Sequence, residues 1–396
     1  MTPVNPVAVE QVAGAALGRR ALAPLILLCL GHFAVDVYSG ALGALQPLLV
    51  ERFGITLTQV GILGGLMVFS SSVMQPAYGY LSDRFHTRMF VVAAPAVAGA
   101  FISALGLAPS YGWLLLLVLV GGAGVAAFHP QASSRAALGV TEGRAGAMAF
   151  FVSSGTLGYA LGPTYFTLIT GRFGLAGSWT GAIPGILLSV LLFLALPAAP
   201  RAASHRRAGF HWEELRRFWK PLALLYVLVF LRSVIQIVFG QFLPLYLHLA
   251  RGYPVRQANY LMSAYLVSGA LGGFLGGHAA DRWGGRTVIA FSMLASAPFL
   301  ALFFFGSGLW AVAGLLLGGF ILLFTIPVNV VMAQELVPSQ AGTVSALMMG
   351  FAWGMAGMVF IPLVGYAADA FSLHGVLASL VVFPMIGFLI ALRLPK

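Results

Sequence analysis

The sequence has few charged residues and almost no cysteine. Lys and Arg number 21 and Asp and Glu number 10 among 396 residues, so 8% of the chain is charged, whereas soluble globular proteins have about 25%. This scarcity of charge excludes a water-soluble enzyme, a disordered chain and a protein that only lies on a membrane surface. The single cysteine, Cys29, lies in an apolar run, which excludes an intrachain disulfide and a cysteine metal site.

Long apolar runs make up most of the sequence instead. Hydrophobic residues account for 60% of the chain, and a membrane-spanning helix needs about 20 apolar residues in succession. The 49 glycines and 21 prolines are compatible with membrane helices, in which small residues allow close approach. We therefore predict an all-α polytopic membrane protein with twelve transmembrane helices, over residues 22–50, 59–81, 88–107, 113–138, 145–171, 178–196, 220–248, 257–279, 287–306, 310–335, 341–367 and 372–394.

The basic residues predict how these helices are grouped and oriented. The longest polar gap is rich in arginine and divides the chain into a six-helix half at 1–196, a cytoplasmic linker at 197–219 and a second six-helix half at 220–396. With both termini in the cytoplasm, 16 Lys and Arg lie inside and four lie outside, in agreement with the positive-inside rule. The net charge of +11 thus reflects membrane topology, and we predict no nucleic-acid partner.

The two predicted halves resemble each other at an offset of about 197 residues. Pro47 in the first span corresponds to Pro244 in the seventh, and the loop between the second and third spans of each half has the pattern G-x-x-x-D-R-x-x-x-R. Its residues are Gly79, Asp83, Arg84 and Arg88 in the first half and Gly277, Asp281, Arg282 and Arg286 in the second. Paired six-helix halves are typical of alternating-access transporters, which bind substrate near the bilayer midplane between the halves.

This repeated loop resembles the best-known motif of the major facilitator superfamily, and the resemblance extends over nearly the whole chain. It implies the major facilitator fold and a gating role for the loop residues, which in that superfamily join cytoplasmic helix ends in the outward-open state. The alternative is that the arginines are only topogenic charges, which would not account for the paired Asp and the Gly four positions earlier.

Glycines in the fifth span resemble, in part, the antiporter motif of the same superfamily. The matching residues recur at helical spacing and are Gly155, Gly158, Gly162 and Pro163. The resemblance implies antiport. A contact between closely packed helices would need the same small residues.

Two charged residues lie deep in the predicted spans. Asp36 is the one deep acidic residue, and His32 lies one helical turn earlier on the same face of the first span. Arg232 in the seventh span corresponds by the repeat offset to position 35. A charge at mid-bilayer costs about 2.5–3.5 kcal/mol on insertion scales, so such residues are usually functional. We predict that Asp36 and His32 carry protons during transport; the alternative is a static Asp36–Arg232 ion pair.

Further candidate substrate-binding residues lie on the same set of spans. Gln236 continues the Arg232 face by one helical turn, and His129, Gln131 and Asn329 lie in the fourth and tenth spans. The superfamily arrangement implies that these residues converge on a central cavity. His129 precedes a proline, and a packed or water-bonded role for it is equally open.

The sequence gives no indication of a metal site or a catalytic site. His32 and Asp36 have the spacing of a metal pair, but no third ligand is apparent, so we predict no metal site. No set of nucleophile and base appears either, so we predict that the protein is not an enzyme and needs no cofactor.

Within the superfamily, the sequence is similar to the family of bacterial fosmidomycin resistance proteins. The similarity rests on residues 32–40, 128–134 and 333–338. It implies proton-coupled efflux of a phosphonate antibiotic or a related small drug, and it adds Tyr38 to the candidate binding residues. Arg232 suits a compact anion, because a guanidinium can bind phosphonate oxygens through two parallel hydrogen bonds.

Two other functions stay open on this evidence. One is an importer or facilitator of organic anions or sugars with the same fold, and the other is a membrane scaffold or sensor that has lost transport. For the efflux antiporter we predict a monomer in the bacterial inner membrane. Its predicted partners are protons, a small drug or organic anion, and the lipid bilayer.

Overall fold

The chain folds into helices throughout the part that the structure describes. A computed structural model describes residues 6–85, 87–136, 144–197 and 212–395, and within these ranges it contains helices and no β-strand. Most of the predicted linker, including Arg201, Arg206 and Arg207, lies outside the described residues. A short helix, Trp212–Arg217, follows it.

The described ranges contain twelve helical spans, and this confirms the predicted all-α fold class. Ten of them are long and apolar enough to cross a membrane, and the other two are helices of 30 and 29 residues with more polar sequences. The spans are α1 Leu22–Phe53, α2 Leu57–Phe85, α3 Met89–Leu107, α4 Tyr111–Ala136, α5 Arg144–Phe173, α6 Ala176–Ala195, α7 Trp219–Leu249, α8 Val255–Trp283, α9 Gly285–Phe305, α10 Gly308–Leu336, α11 Pro338–Ala370 and α12 Leu373–Ala391.

Local sequence explains where these spans begin and where they are irregular. Gly54 ends α1 in the left-handed region at φ 60°, and Thr56 and Gln59 form a capping box that starts α2. A wider π-helical turn interrupts α2 at Phe69–Val73 and α11 at Ala346–Phe351. Such turns are frequent at functional sites, and here they occur in two helices that pack against each other across the halves.

In the described structure the two halves meet mainly along three helix pairs, α1 with α7, α2 with α11 and α5 with α8, and α1 also touches α8. The contact between α1 and α7 brings the two backbones together, since a Cβ on Gly43 would lie 2.1 Å from the carbonyl oxygen of Gly240. No hydrophobic force drives helices together in lipid, so close backbone packing of this kind is how membrane helices associate.

Hydrogen bonds join the halves at the end of the bundle where α1 stops and α2 begins, which we call the closed end. Gln46 Nε2 donates to Gln241 Oε1 at 2.8 Å, and Asn259 Nδ2 donates to the carbonyl oxygen of Ala44 at 3.2 Å. The two G-x-x-x-D-R loops lie at the opposite end of the bundle. With the orientation predicted from the basic residues, the structure is closed toward the outside of the cell.

A carboxylate on one half caps a helix of the other half at the closed end. Asp369, near the end of α11, accepts hydrogen bonds from the backbone nitrogens of Leu57 and Thr58 at 3.0 and 2.7 Å and from the Thr58 hydroxyl at 2.6 Å. The first N–H groups of a helix have no partner within the helix, and its dipole favours a negative charge at that end. Asp369 therefore stabilises the closed arrangement of the two halves.

We expect Asp369→Asn to loosen the closed end, because the amide is neutral and has only one oxygen to accept from three donors. Hydrogen bonds to charged groups contribute about 1.5–3 kcal/mol, so the population that is open at this end should rise about tenfold or more. Pulsed electron spin resonance between labels at Ser110→Cys and Ser307→Cys, in a Cys29→Ala background, should then show a longer distance. Glu51→Gln, which removes an exposed carboxylate at the same end, is the matched control. An unchanged distance in Asp369→Asn would contradict a role of Asp369 in stabilising the closed end.

Candidate functional site

Asp36 lies between two histidines in the N-terminal half. The Nε2 atom of His32, one turn earlier in α1, is 3.4 Å from Asp36 Oδ2, and the Nε2 atom of His129 in α4 is 3.4 Å from Asp36 Oδ1. Only 9%, 16% and 23% of the His32, Asp36 and His129 side chains is exposed. We call these three residues the triad.

The Nδ1 atoms of both histidines form hydrogen bonds with backbone carbonyl groups. His32 Nδ1 lies 2.8 Å from the carbonyl oxygen of Phe151, and His129 Nδ1 lies 2.8 Å from that of Val125. A carbonyl oxygen can only accept, so each Nδ1 carries the hydrogen and each Nε2 is directed at Asp36. If both histidines are neutral, the lone pair of each Nε2 faces the carboxylate of Asp36 and is repelled by it. A proton or another cation bound between them removes this repulsion.

Aromatic rings surround the triad and limit its contact with water. The His32 ring stacks on Phe151 with centroids 4.3 Å apart and meets the His129 ring edge-on at 5.0 Å. Phe128 lies 6.0 Å from His32 on another side. Charges in such surroundings interact more strongly than charges in water.

His129 also supplies the third ligand atom that sequence analysis did not identify. The candidate ligand atoms of His32, Asp36 and His129 all lie within 4.8 Å of one another. Two imidazoles and a carboxylate are a donor set that zinc takes in proteins. The triad is therefore the place in the described chain where a proton and a divalent cation would compete.

The glycines of α5 that resemble an antiporter motif lie directly against α1. A Cβ on Gly158 would lie 2.1 Å from the carbonyl oxygen of Phe33, and one on Gly162 would lie 2.5 Å from that of Val37. Small residues at this spacing let the two backbones touch. The packing fixes the α1 face that carries His32 and Asp36.

We expect Gly155→Ala to disturb the triad, because a Cβ on Gly155 would lie 2.3 Å from His32 Nε2. Overpacking of this kind costs about 1–3 kcal/mol or forces the ring to move. Transport should fall several-fold while the amount of protein in the membrane stays the same. Gly146→Ala is the control on the same helix, since nothing lies within 4 Å of its Cβ position. Equal transport by the two variants would show that the His32 position is not critical.

Arg232 is a buried cation in α7 of the C-terminal half, with 5% of the residue exposed. Its Nη1 donates to Gln236 Oε1 at 2.6 Å, and its Nε has no hydrogen-bond partner in the described structure. Asp36 and Arg232 both lie in the described part of the chain, and no ion pair joins them. Within the described residues, therefore, no static ion pair joins Asp36 to Arg232, and Arg232 has no counter-charge.

The remaining predicted binding residues are not brought to the triad. The Tyr38 hydroxyl donates to the carbonyl oxygen of Gly181 at 2.9 Å and accepts from the nitrogen of Gly185 at 3.0 Å, so it faces α6. Gln131 accepts from the nitrogen of Val91 at 2.8 Å and donates to Ser82 Oγ at 2.6 Å, so it holds α4 to the helices beside the first loop motif. These contacts support packing roles for both.

Asn329 is fully buried in α10. Neither of its side-chain polar atoms has a hydrogen-bond partner in the described structure. A buried amide without partners is unusual in a folded protein, so Asn329 stays a candidate for contact with a ligand.

The last arginine of each loop motif anchors the loop to the last helix of its own half. Arg88 donates to the carbonyl oxygens of Phe193 and Leu196 at the end of α6, and Arg286 donates to that of Leu392 after α12 at 2.6 Å. Asp83 and Asp281 are exposed, and neither forms an ion pair within the described ranges. The gating role implied for these acids stays a prediction, and it concerns the outward-open state.

A family model described as Major Facilitator Superfamily matches residues 28–361 and 252–396. The chain is 30% identical over 381 residues to the uncharacterized MFS-type transporter YfnC of Bacillus subtilis, covering 94% of this chain and 92% of that protein. It is 29% identical over 395 residues to the fosmidomycin resistance protein of Escherichia coli, covering 96% of each.

Solved structures with a similar fold are transporters. A bacterial homolog of the human lysosomal transporter Spinster, in an inward-facing and unoccupied conformation, has a TM-score of 0.80 at 17% identity, over 94% of this chain and 97% of that one. The nucleoside transporter NupG has a TM-score of 0.75 at 15% identity, over 94% and 98%. At these identities the likeness concerns the fold.

Proposed function

We propose that this chain, which belongs to the major facilitator superfamily, exports a small drug across the bacterial inner membrane in exchange for protons. Like the other proteins of its family, it is a multi-pass membrane transporter and not an enzyme. The observation that carries the proposal is the triad, in which one carboxylate lies 3.4 Å from two imidazole nitrogens. We further propose that it acts as a monomer with both termini in the cytoplasm.

The triad can take up protons without changing its other hydrogen bonds. Both Nδ1 hydrogens are engaged by carbonyl groups, so an arriving proton goes to an Nε2 atom or to the carboxylate of Asp36. Histidine exchanges protons within the physiological pH range. The net charge of the triad then changes from negative to neutral or positive, which is the change that an exchange cycle requires.

Arg232 supports an anionic substrate. It is buried, has no carboxylate partner in the described structure and keeps an unpaired Nε, and a buried charge without a partner is unfavourable. A phosphonate would supply the missing charge and could accept two hydrogen bonds from the guanidinium. The similarity to the fosmidomycin resistance protein of E. coli supports fosmidomycin as the first substrate to test.

The transport cycle follows from alternating access between the two halves. With the outer end closed, the drug reaches Arg232 from the cytoplasm and protons leave the triad to the same side. Once Asp369 releases α2 and the outer end opens, the drug leaves and protons enter the triad. An importer or facilitator of organic anions would use the same fold with the drug moving inward.

Drug susceptibility distinguishes these directions. Expression of the chain in a fosmidomycin-sensitive bacterium should raise the inhibitory concentration of fosmidomycin relative to an empty vector, once membrane expression is verified. An importer would lower that concentration. An unchanged value would contradict the proposed substrate, and protection against many lipophilic drugs would favour a multidrug pump.

A further inference from the structure

The Nε2 atoms of His32 and His129 and the carboxylate of Asp36 have the spacing of ligands around one metal ion. Each Nε2 lies 3.4 Å from an Asp36 oxygen. Around a tetrahedral zinc ion, bonds of about 2.0–2.2 Å place neighbouring ligand atoms about 3.3–3.6 Å apart. The three candidate ligand atoms all lie within 4.8 Å of one another, so a shift of less than about 1 Å at each ring brings them to that spacing.

Backbone carbonyl groups prepare both imidazoles for a metal. The carbonyl oxygens of Phe151 and Val125 each lie 2.8 Å from an Nδ1 atom, so they accept its hydrogen and leave the Nε2 lone pair free. A histidine that binds a metal almost always donates its other ring N–H in this way, which fixes the tautomer and the orientation of the ring. The triad therefore has the supporting hydrogen bonds of a metal site as well as its ligands.

The charge and the exposure of the triad also suit a divalent cation. Within the described residues, Asp36 pairs with His32 and His129 and with no Lys or Arg, so the carboxylate keeps its negative charge for an entering ion. The Asp36 and His129 side chains are 16% and 23% exposed. The triad is thus shielded from bulk water without being sealed against an ion and a water ligand.

The donor set selects among the divalent ions. Mg²⁺ and Ca²⁺ take oxygen ligands, whereas two imidazoles and a carboxylate suit zinc, which can keep water as its fourth ligand. We propose that the triad is a zinc-binding site and that bound Zn²⁺ inhibits transport by occupying the atoms that accept protons. The site itself is inferred from the geometry, and its inhibitory effect rests on the proposed function.

The bound ion acts within one half of the transporter. His32 and Asp36 lie on α1 and His129 lies on α4, so zinc joins two helices of the N-terminal half and does not tie the halves together. Alternating access moves one half against the other, and this movement stays free. Zinc inhibits because the Nε2 lone pairs and the carboxylate cannot hold a proton and the ion together, so that metal binding releases protons.

Calorimetric titration of the chelator-treated, full-length protein with zinc chloride tests the site without drug and without a pH gradient. One Zn²⁺ per chain should bind, and magnesium chloride at the same concentrations should not. His32→Gln, Asp36→Asn and His129→Gln each remove one ligand. Because loss of a contact that only supports a ligand already lowers metal affinity about 10–100-fold, each variant should raise the Kd about 100-fold or more.

His278→Gln is the matched control for these variants. The Nδ1 atom of His278 also faces the carbonyl oxygen four residues earlier, at 3.2 Å, but this side chain is exposed and pairs with no carboxylate among the described residues. The control should bind zinc as tightly as the wild-type protein. Equal Kd values for the wild type and all three triad variants would overturn the site.

X-ray absorption spectroscopy of the zinc-loaded wild-type protein identifies the ligands without any substitution. Two imidazoles and a carboxylate should surround the ion at about 2.0–2.2 Å. A variant that fails to fold cannot produce this result. Fewer than two imidazoles around the ion would overturn the site.

Transport separates the inhibition from the proposed function. In proteoliposomes with an acidic lumen, zinc on both sides of the membrane at about ten times its Kd should lower fosmidomycin accumulation about tenfold, and excess chelator should restore it. Unchanged accumulation with zinc bound would overturn the inhibition. If the chelator-treated protein moves no drug at all, the proposed function and the inhibition fail together, while calorimetry and spectroscopy still decide the zinc site.

Discussion

Asp36→Asn should abolish proton-driven transport while leaving the substrate site intact. The amide cannot take up a proton in this pH range, and it removes the charge that both histidine Nε2 atoms face. Uptake of fosmidomycin into inverted membrane vesicles energised by respiration should decrease by at least about tenfold, a typical loss of coupling between two sites. Binding of fosmidomycin to the purified variant should change little, because Arg232 is not paired with Asp36.

Glu51→Gln is the matched control for this experiment, since it removes an exposed carboxylate from the same helix. It should support uptake at the wild-type level. Wild-type uptake by Asp36→Asn, at equal expression, would exclude Asp36 as the proton carrier. Loss of both uptake and binding would mean that Asp36 shapes the substrate site instead.

Arg232→Gln should remove anion binding. Truncating a buried charge that binds an opposite charge typically costs 2–5 kcal/mol, so the Kd for fosmidomycin should rise about 100-fold or more. The melting temperature without drug should stay the same or increase, because the wild-type cation is buried and has no counter-charge among the described residues. Calorimetry and thermal unfolding of the same preparations measure both effects.

A conservative substitution of Arg232 and a substitution of a distant arginine serve as controls for this prediction. Arg232→Lys keeps the charge but loses the planar pair of donors, so it should bind with intermediate affinity. Arg256→Gln, an exposed arginine at the start of α8, should bind as the wild type does. Unchanged affinity in Arg232→Gln would place the anion elsewhere.

The spans could be predicted from sequence because lipid imposes them. A membrane helix must keep about 20 apolar residues together and satisfy its own backbone hydrogen bonds, so the twelve predicted runs match the twelve helical spans of the described ranges closely. The basic loops were recognisable because Lys and Arg concentrate in the loops on one side of a membrane. The interruptions, such as the π-helical turn at Phe69–Val73, leave no comparable signal in the sequence.

The candidate site was predictable only where a single residue was unusual. Asp36 and Arg232 are conspicuous because charge within a span is rare, and His32 follows from its position one turn from Asp36. The contact of His129 with Asp36 depends on how α4 is rotated against α1, which helical periodicity within either span does not determine.

Other residues show the limit of periodicity and resemblance. Tyr38 shares a stretch with His32 and Asp36, yet its hydroxyl binds α6. Asp369 lies at a span end. Its role as a cap depends on a contact with Leu57 in the other half, 312 residues away in the sequence.

The coupling of drug movement to protons is tested most directly with the wild-type protein in proteoliposomes, in buffers with a chelator so that no divalent ion occupies the triad. With the lumen one pH unit more acidic than the outside, fosmidomycin should accumulate inside, by up to about tenfold for each proton exchanged, and an uncoupler should abolish the accumulation. Accumulation with an alkaline lumen, or equilibration that does not depend on the pH gradient, would contradict proton exchange.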